Sequence, residues 1–381
     1  MLKTVSLIIL FSNLALAHAW AGVPQVKVLI GKSLKDVVVH GIDLRQNIPA
    51  KKIYRQFEGQ KTVNFSCRLN SHVQLPERDQ MIASVTSPTG LVGWENKRFR
   101  GELQLVAGPK AAAEGCNLVN LISMEHYISS LLAKEMRSDW PVEALKAQAV
   151  VARSFALLKM KEQTLDLNNW HLESSEKDQV SGSFHDTTES TDRAARETQG
   201  EVLVDQNKKP VMGFFHSKCG GKTFKPEQVW SNPVAGYESV DCPFCHKHGM
   251  KNWDNTLAKS HLANLLGKTL SRYGDKPIKI SPDALTFVPD TESKTDLRFY
   301  AGNQMHVLKK SHLRNIAGRE IFPSINFKLI SQAHGVSIKG QGFGHGVGMC
   351  QLGAFELARR GYGYREIIQH YFPNHGVRKI W

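Results

Sequence analysis

A glutamate at position 135, a histidine set among glycines at 345, and sulfur and imidazole side chains between 216 and 248 are the residues best placed for chemistry. Glu135 falls within MEHYISSLLAKEMRSDWPVEALKAQAVVARSFALLKMK, residues 124–161. Apolar Leu131, Leu132 and Met136 around it raise a carboxyl pKa, whereas Lys134 and Arg137 lower it. A carboxylic acid kept protonated near neutral pH can protonate the leaving oxygen of a glycosidic bond. The same residue also reads as an ordinary solvated surface glutamate.

The second group contains Cys219 and His216 in HSKCGGKT, then Cys242 and Cys245 in CPFCHKH. A Cys-x2-Cys pair with one Cys and one His upstream suits a tetrahedral zinc site, and His246 and His248 are spare ligands. A disulfide from Cys219 to Cys242 or Cys245 is the rival reading, because an oxidising compartment favours it. A zinc held by four side chains is structural, with no open position for a substrate. The third candidate is His345, with five glycines around it in GQGFGHGVG, residues 340–348. So many glycines imply a loop whose backbone touches a ligand or another main chain.

The elements that must position these groups follow from local pattern. Tyr127, Ile128, Leu131 and Leu132 make one face of a helix that Glu135 closes. Pro141 disfavours helical geometry at Trp140 and suits a helix's first turn, so a second helix starts there with Glu143 in that turn. Leu145, Ala149, Ala152 and Ala156 form a narrow stripe of mostly small residues, against which another element packs closely. Near the C-terminus a helix starts at Met349–Cys350 and ends at Gly361. Another covers Tyr364–Tyr371 and stops at Pro373.

Upstream, short β-branched or apolar runs at Val26–Ile30, Val37–Val39, Lys61–Cys67, His72–Leu75, Gly101–Val106 and Asn117–Ile122 predict strands. Thr188–Gln199 reads as a helix, Glu201–Val204 with Val211–Phe215 as a hairpin, and Leu313–Ala317 as a short helix before Gly318. Thr256–Leu266 reads as a helix with Asn255 as N-cap and Gly267 past its end. The fold class is α+β, a β-rich N-terminal part joined to a mixed helix/strand core with a cleft. Residues 1–19 form a secretory signal, 20–105 the β-rich part and 106–381 the catalytic core, with an insertion around 249–320.

The signal is read from Lys3, the short apolar run Leu7–Leu16, and Ala-x-Ala endings at Ala17 and Ala19. The mature protein is thus expected outside the cytoplasm, in the periplasm or cell wall, with no membrane span. A formal charge of +14 and a pI near 9.4 call for an anionic partner. Nucleic acid fits the charge but not export, whereas a wall polymer bearing carboxylates fits both. Six cysteines are present, and Cys67 and Cys116 are a candidate bridge in the N-terminal part.

Three stretches in order resemble the stage II sporulation protein D family (SpoIID/LytB domain). They are EHYISSLLAKEM…WPVEALKAQAVVARSFAL, the strand with HSKCGGKT followed by Trp230, Tyr237 and Val240, and GFGHGVGMCQLGA…GYGYREIIQHYFP. VKVLIGK and RFRGELQL are similar to the family's leading strands.

The resemblance implies a peptidoglycan lytic transglycosylase. Such an enzyme cleaves between N-acetylmuramic acid and N-acetylglucosamine and leaves a 1,6-anhydro product, with Glu135 as the single acid and base. It also implies substrate-binding roles for Lys146, Gln148, Arg153, Ser154, His345 and Gln351. Lys146 and Arg153 suit the lactyl carboxylate of muramic acid. The sequence departs from the family at Arg137, where Pro is usual, and at Cys350, where Ser is usual. The latter keeps a small polar side chain, and little effect is expected. Trp140 and Trp230 are candidates for stacking on sugars. A different class remains open: a non-catalytic peptidoglycan-binding enhancer of a cell-wall amidase. A zinc amidase built on His216 and the cysteines is a third reading, disfavoured because thiolate-rich sites are closed.

Overall fold

The computed structural model describes residues 22–67, 81–107, 115–162, 169–175, 178–231, 234–247, 252–274, 278–288 and 294–381. The signal segment 1–19, the strand expected at His72–Leu75 and His248 lie outside these residues.

Alternating apolar residues in the N-terminal part form strands β1 (Gln25–Leu34), β2 (Asp36–Ile48), β3 (Ile53–Ser66), β4 (Met81–Thr86), β5 (Leu91–Trp94), β6 (Lys97–Arg100), β7 (Glu102–Ala107) and β8 (Cys116–Ser123). With β9 (Leu172–Glu173) they make a nine-stranded sheet in the order β6-β5-β2-β4-β7-β8-β1-β9, and β3 pairs with β2. The concave side is filled by Val37, Val39, Leu44, Val85, Val92, Leu103, Leu105 and Leu118. Cys67 and Cys116 are joined as a disulfide, tying the end of β3 to the start of β8.

Helix α1 (Met124–Glu135) follows β8 directly, and Ser123 caps it by accepting the N–H of His126. Helix α2 (Val142–Glu162) is sandwiched between two cores, so most of its length is buried on both sides, including the polar Gln148, Arg153 and Ser154. Ala144, Leu145, Ala149, Ala152 and Ala156 face α1 and the strands with Val26, Val28 and Ile122. Ala147, Val150 and Val151 face the C-terminal helices Gln351–Arg359 and Tyr364–Tyr371, with Ile367, Ile368 and Tyr371. The small-residue stripe read from the sequence is fully buried at Leu145, Ala149, Ala152 and Ala156. Helix α3 (Glu189–Glu197) packs across α1 and α2.

Two local expectations are corrected. Glu201–Val204 does turn back through Asp205–Lys209, with Val204 bridged to Pro210 and the Val211 N–H on the Leu203 carbonyl, but its ladder partner is Gly376–Lys379 and residues 211–214 form no regular strand. Asn252–Leu257 is a strand paired with Gly335–Gln341, and the following helix is Lys259–Tyr273, with Gly267 inside it. The Cα side of Gly267 lies against the carbonyl of Ile278, so the position is kept small by packing rather than by a helix end. Residues 252–338 enclose a core of their own around Leu262, Leu266, Leu297, Phe299, Phe322 and Ile338. Gly318 and Gly361 do follow helix ends, at φ of 86° and 91°.

Candidate active site and thiol centre

Glu135 is the last residue of α1. At Met136 the backbone turns extended, and its N–H closes the helix on the carbonyl of Leu132. The chain then crosses Arg137–Trp140 and re-enters a helix after Pro141, so the acidic elbow read from the sequence exists. Glu135 lines an open cleft of about 690 Å³ with Met136, Asp139, Trp140, Ser217 and Gln351. Its Oε1 accepts the backbone N–H of Val180 at 3.1 Å. That loop is pinned by Gly182, whose N–H reaches the Ser130 carbonyl at 3.1 Å and where a Cβ would come within 2.8 Å of the same oxygen.

Both cations next to Glu135 in sequence are engaged elsewhere. Lys134 pairs with Asp186 at 2.5 Å, and Arg137 holds both oxygens of Asp139 at 3.1 and 2.7 Å. The hydrogen bonds from Arg137 keep the Asp139 carboxyl below the usual range. Asp139 is thus an anion at neutral pH and a poor proton donor.

The far wall of the cleft comes from a two-stranded parallel ribbon, Phe215–His216 beside Met349–Cys350. It brings Ser217 and Gln351 to the same side, and Leu352 N–H closes on the Ser217 carbonyl at 3.2 Å. Behind that wall, His345 lies 5.6 Å from His216 and 5.2 Å from Trp230, centroid to centroid. His345 Nδ1 accepts the N–H of Val347. Burial, with His216 and Arg314 nearby, pushes its pKa down to about 3. Burial likewise lowers His216 to about 4, with its Nδ1 bound to the Val347 carbonyl. Two of the five glycines are explained by main-chain contact. A Cβ at Gly342 or Gly348 would sit 2.6 or 2.2 Å from the carbonyls of Lys218 or Phe214, and both have positive φ.

Several residues expected at the substrate are instead built into the scaffold. Arg153 is fully buried; its guanidinium binds Glu125 at 2.6 Å and the carbonyls of Glu201 and Ala195. No face of it is left for a sugar carboxylate. Ser154 Oγ donates to the Val150 carbonyl and accepts the N–H of Leu203, joining α2 to the following strand. Lys146 bridges Glu143 at 2.7 Å and Glu197 at 2.6 Å. Gln148 is fully buried, and its amide atoms have no partner among the described residues. Trp140 packs 4.7 Å from Phe355 at the cleft edge, whereas Trp230, half-buried and outside the cleft lining, packs 4.9 Å from Phe214.

The cysteines converge, but with a different fourth member. Cys219, Cys242, Cys245 and Cys350 are all buried, and their Sγ atoms lie within 4.8 Å of one another. Cys350 takes the place expected for His216, whose ring is turned to Val347 and His345. All four thiols are free rather than bridged. Four thiolates on a tetrahedral zinc stand about 3.8 Å apart, and Cys219 and Cys245 are 3.5 Å apart. The Gly221 N–H and the Tyr371 hydroxyl reach Cys219 and Cys242 at 3.4 and 3.1 Å, the donors that a metal-bound thiolate uses. Gly353 is required here, because a Cβ would lie 2.7 Å from the Cys242 sulfur. The residues therefore fit zinc as a closed site.

A family model described as stage II sporulation protein (SpoIID) matches residues 112–204, which hold β8, α1, α2, α3 and Glu135. A protein of Brachyspira hyodysenteriae is 31% identical over 255 residues, 67% of this chain and 66% of that one. The chain belongs to the stage II sporulation protein D family. Stage II sporulation protein D of Bacillus amyloliquefaciens is 26% identical over 67% of this chain and 74% of its own. The amidase enhancer of Bacillus subtilis is 25% identical over 65% of this chain but only 39% of its own length.

In this family member the residue that sequence reasoning passed over is Cys350. It was read as a stand-in for Ser. The available signal was arithmetic, since pairing Cys67 with Cys116 leaves four cysteines, the number a closed zinc site takes. Ser217 was also missed as a cleft residue, although it directly follows His216.

Proposed function

We propose that the protein is an exported lytic transglycosylase of the peptidoglycan glycan strand, with Glu135 as its acid and base. What supports this reading is one observation: of the two carboxylates lining the cleft, Arg137 holds Asp139 as an anion, whereas Glu135 ends α1 at the cleft wall with its Oε1 on the Val180 N–H. Glu135 protonates the oxygen linking N-acetylmuramic acid to N-acetylglucosamine. As carboxylate it then takes the proton of the sugar's own 6-hydroxyl, which attacks the anomeric carbon. The 1,6-anhydro ring forms as the glycosidic bond breaks, and neither a second carboxylate nor a water nucleophile is needed. Ser217 and Gln351 face the same cleft and orient sugar hydroxyls.

Zinc belongs to this proposal as a structural ion. Cys219, Cys242, Cys245 and Cys350 would hold it, fixing the ribbon that carries Ser217 and Gln351 to the helices behind. The test of the function is Glu135→Gln. The variant should fold as the parent does and release no anhydro-muropeptides from purified glycan; full activity would end the assignment.

The relative named amidase enhancer supports a second reading, in which the protein binds peptidoglycan and stimulates a cell-wall amidase without cutting glycan. Under that reading Glu135→Gln leaves stimulation intact, and the protein alone yields no glycan products.

A further inference from the structure

The loop that brings Ser217 to the Glu135 cleft continues into a second depression. Gly220–Phe224 line a groove of about 1220 Å³ between the main body and the lobe whose core spans residues 253–338. This exceeds the roughly 300–1,000 Å³ of ordinary small-molecule sites. Three residues of extended chain reach at most about 10 Å, so groove and cleft are neighbours along one path.

The groove is rimmed by Lys222, Lys294, Lys328 and Lys339 against two aspartates, Asp241 and Asp254. Lys222 is paired with Asp241 at 3.3 Å. Lys328 and Lys339 stand directly opposite each other on antiparallel strands, both exposed and neither in an ion pair among the described residues. Like charges in that register repel and weaken the sheet. Asp254, opposite Lys339 on its other neighbouring strand, offsets part of that repulsion, and an anion laid between the two lysines offsets the rest. The amides of Asn252 and Gln341 are joined at 3.2 Å on the same wall, leaving hydrogen-bonding capacity for a polar chain.

We propose that this groove is a carboxylate-binding subsite for the glycan strand outside the cleavage cleft, with Lys328 and Lys339 as its principal contacts. The inference rests on the wall glycan being the ligand, and it replaces the roles expected for Lys146 and Arg153. The carboxylates come either from lactyl groups or from stem peptides, and both present the same anion to the lysines.

The experiment measures binding, not turnover, so it stands apart from the catalytic assignment. Glu135→Gln protein, with and without Lys328→Gln/Lys339→Gln, is sedimented with intact sacculi, with amidase-stripped glycan strands, and with sacculi whose carboxylates have been blocked as methylamides. Thermal melting checks that both proteins are folded, and Lys328→Arg/Lys339→Arg should retain binding. Loss of the two lysines should weaken binding at least about tenfold, as expected for removing charge-assisted contacts. A loss on stripped strands identifies lactyl groups as the anion, and a loss confined to intact sacculi identifies the peptides. Equal binding with and without the lysines on both materials overturns the proposal. So does a lysine effect that survives blocking of the carboxylates.

Discussion

At the scale of single residues, two histidines report on folding through their hydrogen bonds. His171 Nδ1 accepts the N–H of Lys27, and His345 Nδ1 accepts that of Val347, so each ring must carry no proton there. Burial, aided by Lys27, lowers His171 to about 4, and burial beside His216 and Arg314 lowers His345 to about 3. The unfolded chain takes up these protons near pH 6.5. The native state does so only near the depressed values. Their stabilisation is therefore complete above pH 6.5 and is lost as pH falls toward 4. For His171 alone the loss at pH 5 is on the order of 2 kcal/mol. Denaturant unfolding at pH 7 and pH 5 should show it, and His171→Gln should flatten the profile. An unchanged parent midpoint between these pH values would contradict the argument.

Residue identity also shows where sequence reading stops. The helix end at Glu135 was legible because the apolar face of α1 and the approaching proline lie within one short stretch. The burial of Arg153 was not. An arginine on a helix looks the same in sequence whether it meets a ligand or a glutamate 28 positions away.

At the scale of elements, Arg153 is the clamp that joins α1, α3 and the strand Glu201–Val204 to α2. Removing one partner of a buried ion pair costs about 3–5 kcal/mol. Arg153→Met should thus lower the melting temperature sharply, leaving the substrate affinity of whatever remains folded unchanged. A normal melting temperature with a raised KM would return Arg153 to the substrate.

The thiol centre makes a separate prediction. Purified protein should contain about one zinc per chain, the content of a four-cysteine site. Cys350→Ser should lower zinc content and melting temperature together, whereas His216→Gln should leave zinc in place. Zinc lost from the His216 variant but not from the Cys350 variant would reverse the ligand set.

Elements set by local chemistry were the ones read correctly. The helix at Tyr364–Tyr371 and the glycine ends at 318 and 361 need nothing beyond adjacent residues. The turn after Glu201–Val204 was legible, but the strand's ladder partner, Gly376–Lys379, was not, because the far end of the chain contributes it. Asn252–Leu257 failed as a strand for the same reason, since it depends on Gly335–Gln341.

At the scale of the molecule, α2 is the element on which the two main cores meet, and both walls of the cleft lean on it. Helix α1, which follows the N-terminal sheet, supplies Glu135, while the C-terminal segment supplies Gln351 and Leu352. The cleft is therefore assembled from three stretches far apart in the chain, residues 133–140, Ser217 and residues 351–352, and the sequence motifs named its parts without placing them. The net charge of +14 was legible from composition, but not that Lys328 and Lys339 would stand side by side on one groove. No helix among the described residues is long and apolar enough to cross a membrane.

The most direct test of the central claim is the mass of the sugar end released when purified protein meets isolated glycan strands. Glu135 acting alone, with the 6-hydroxyl as nucleophile, predicts muramic acid ends lighter by one water than hydrolysed ends, and none of them from Glu135→Gln. Hydrolysed ends from the parent, or anhydro ends undiminished in the variant, would contradict it.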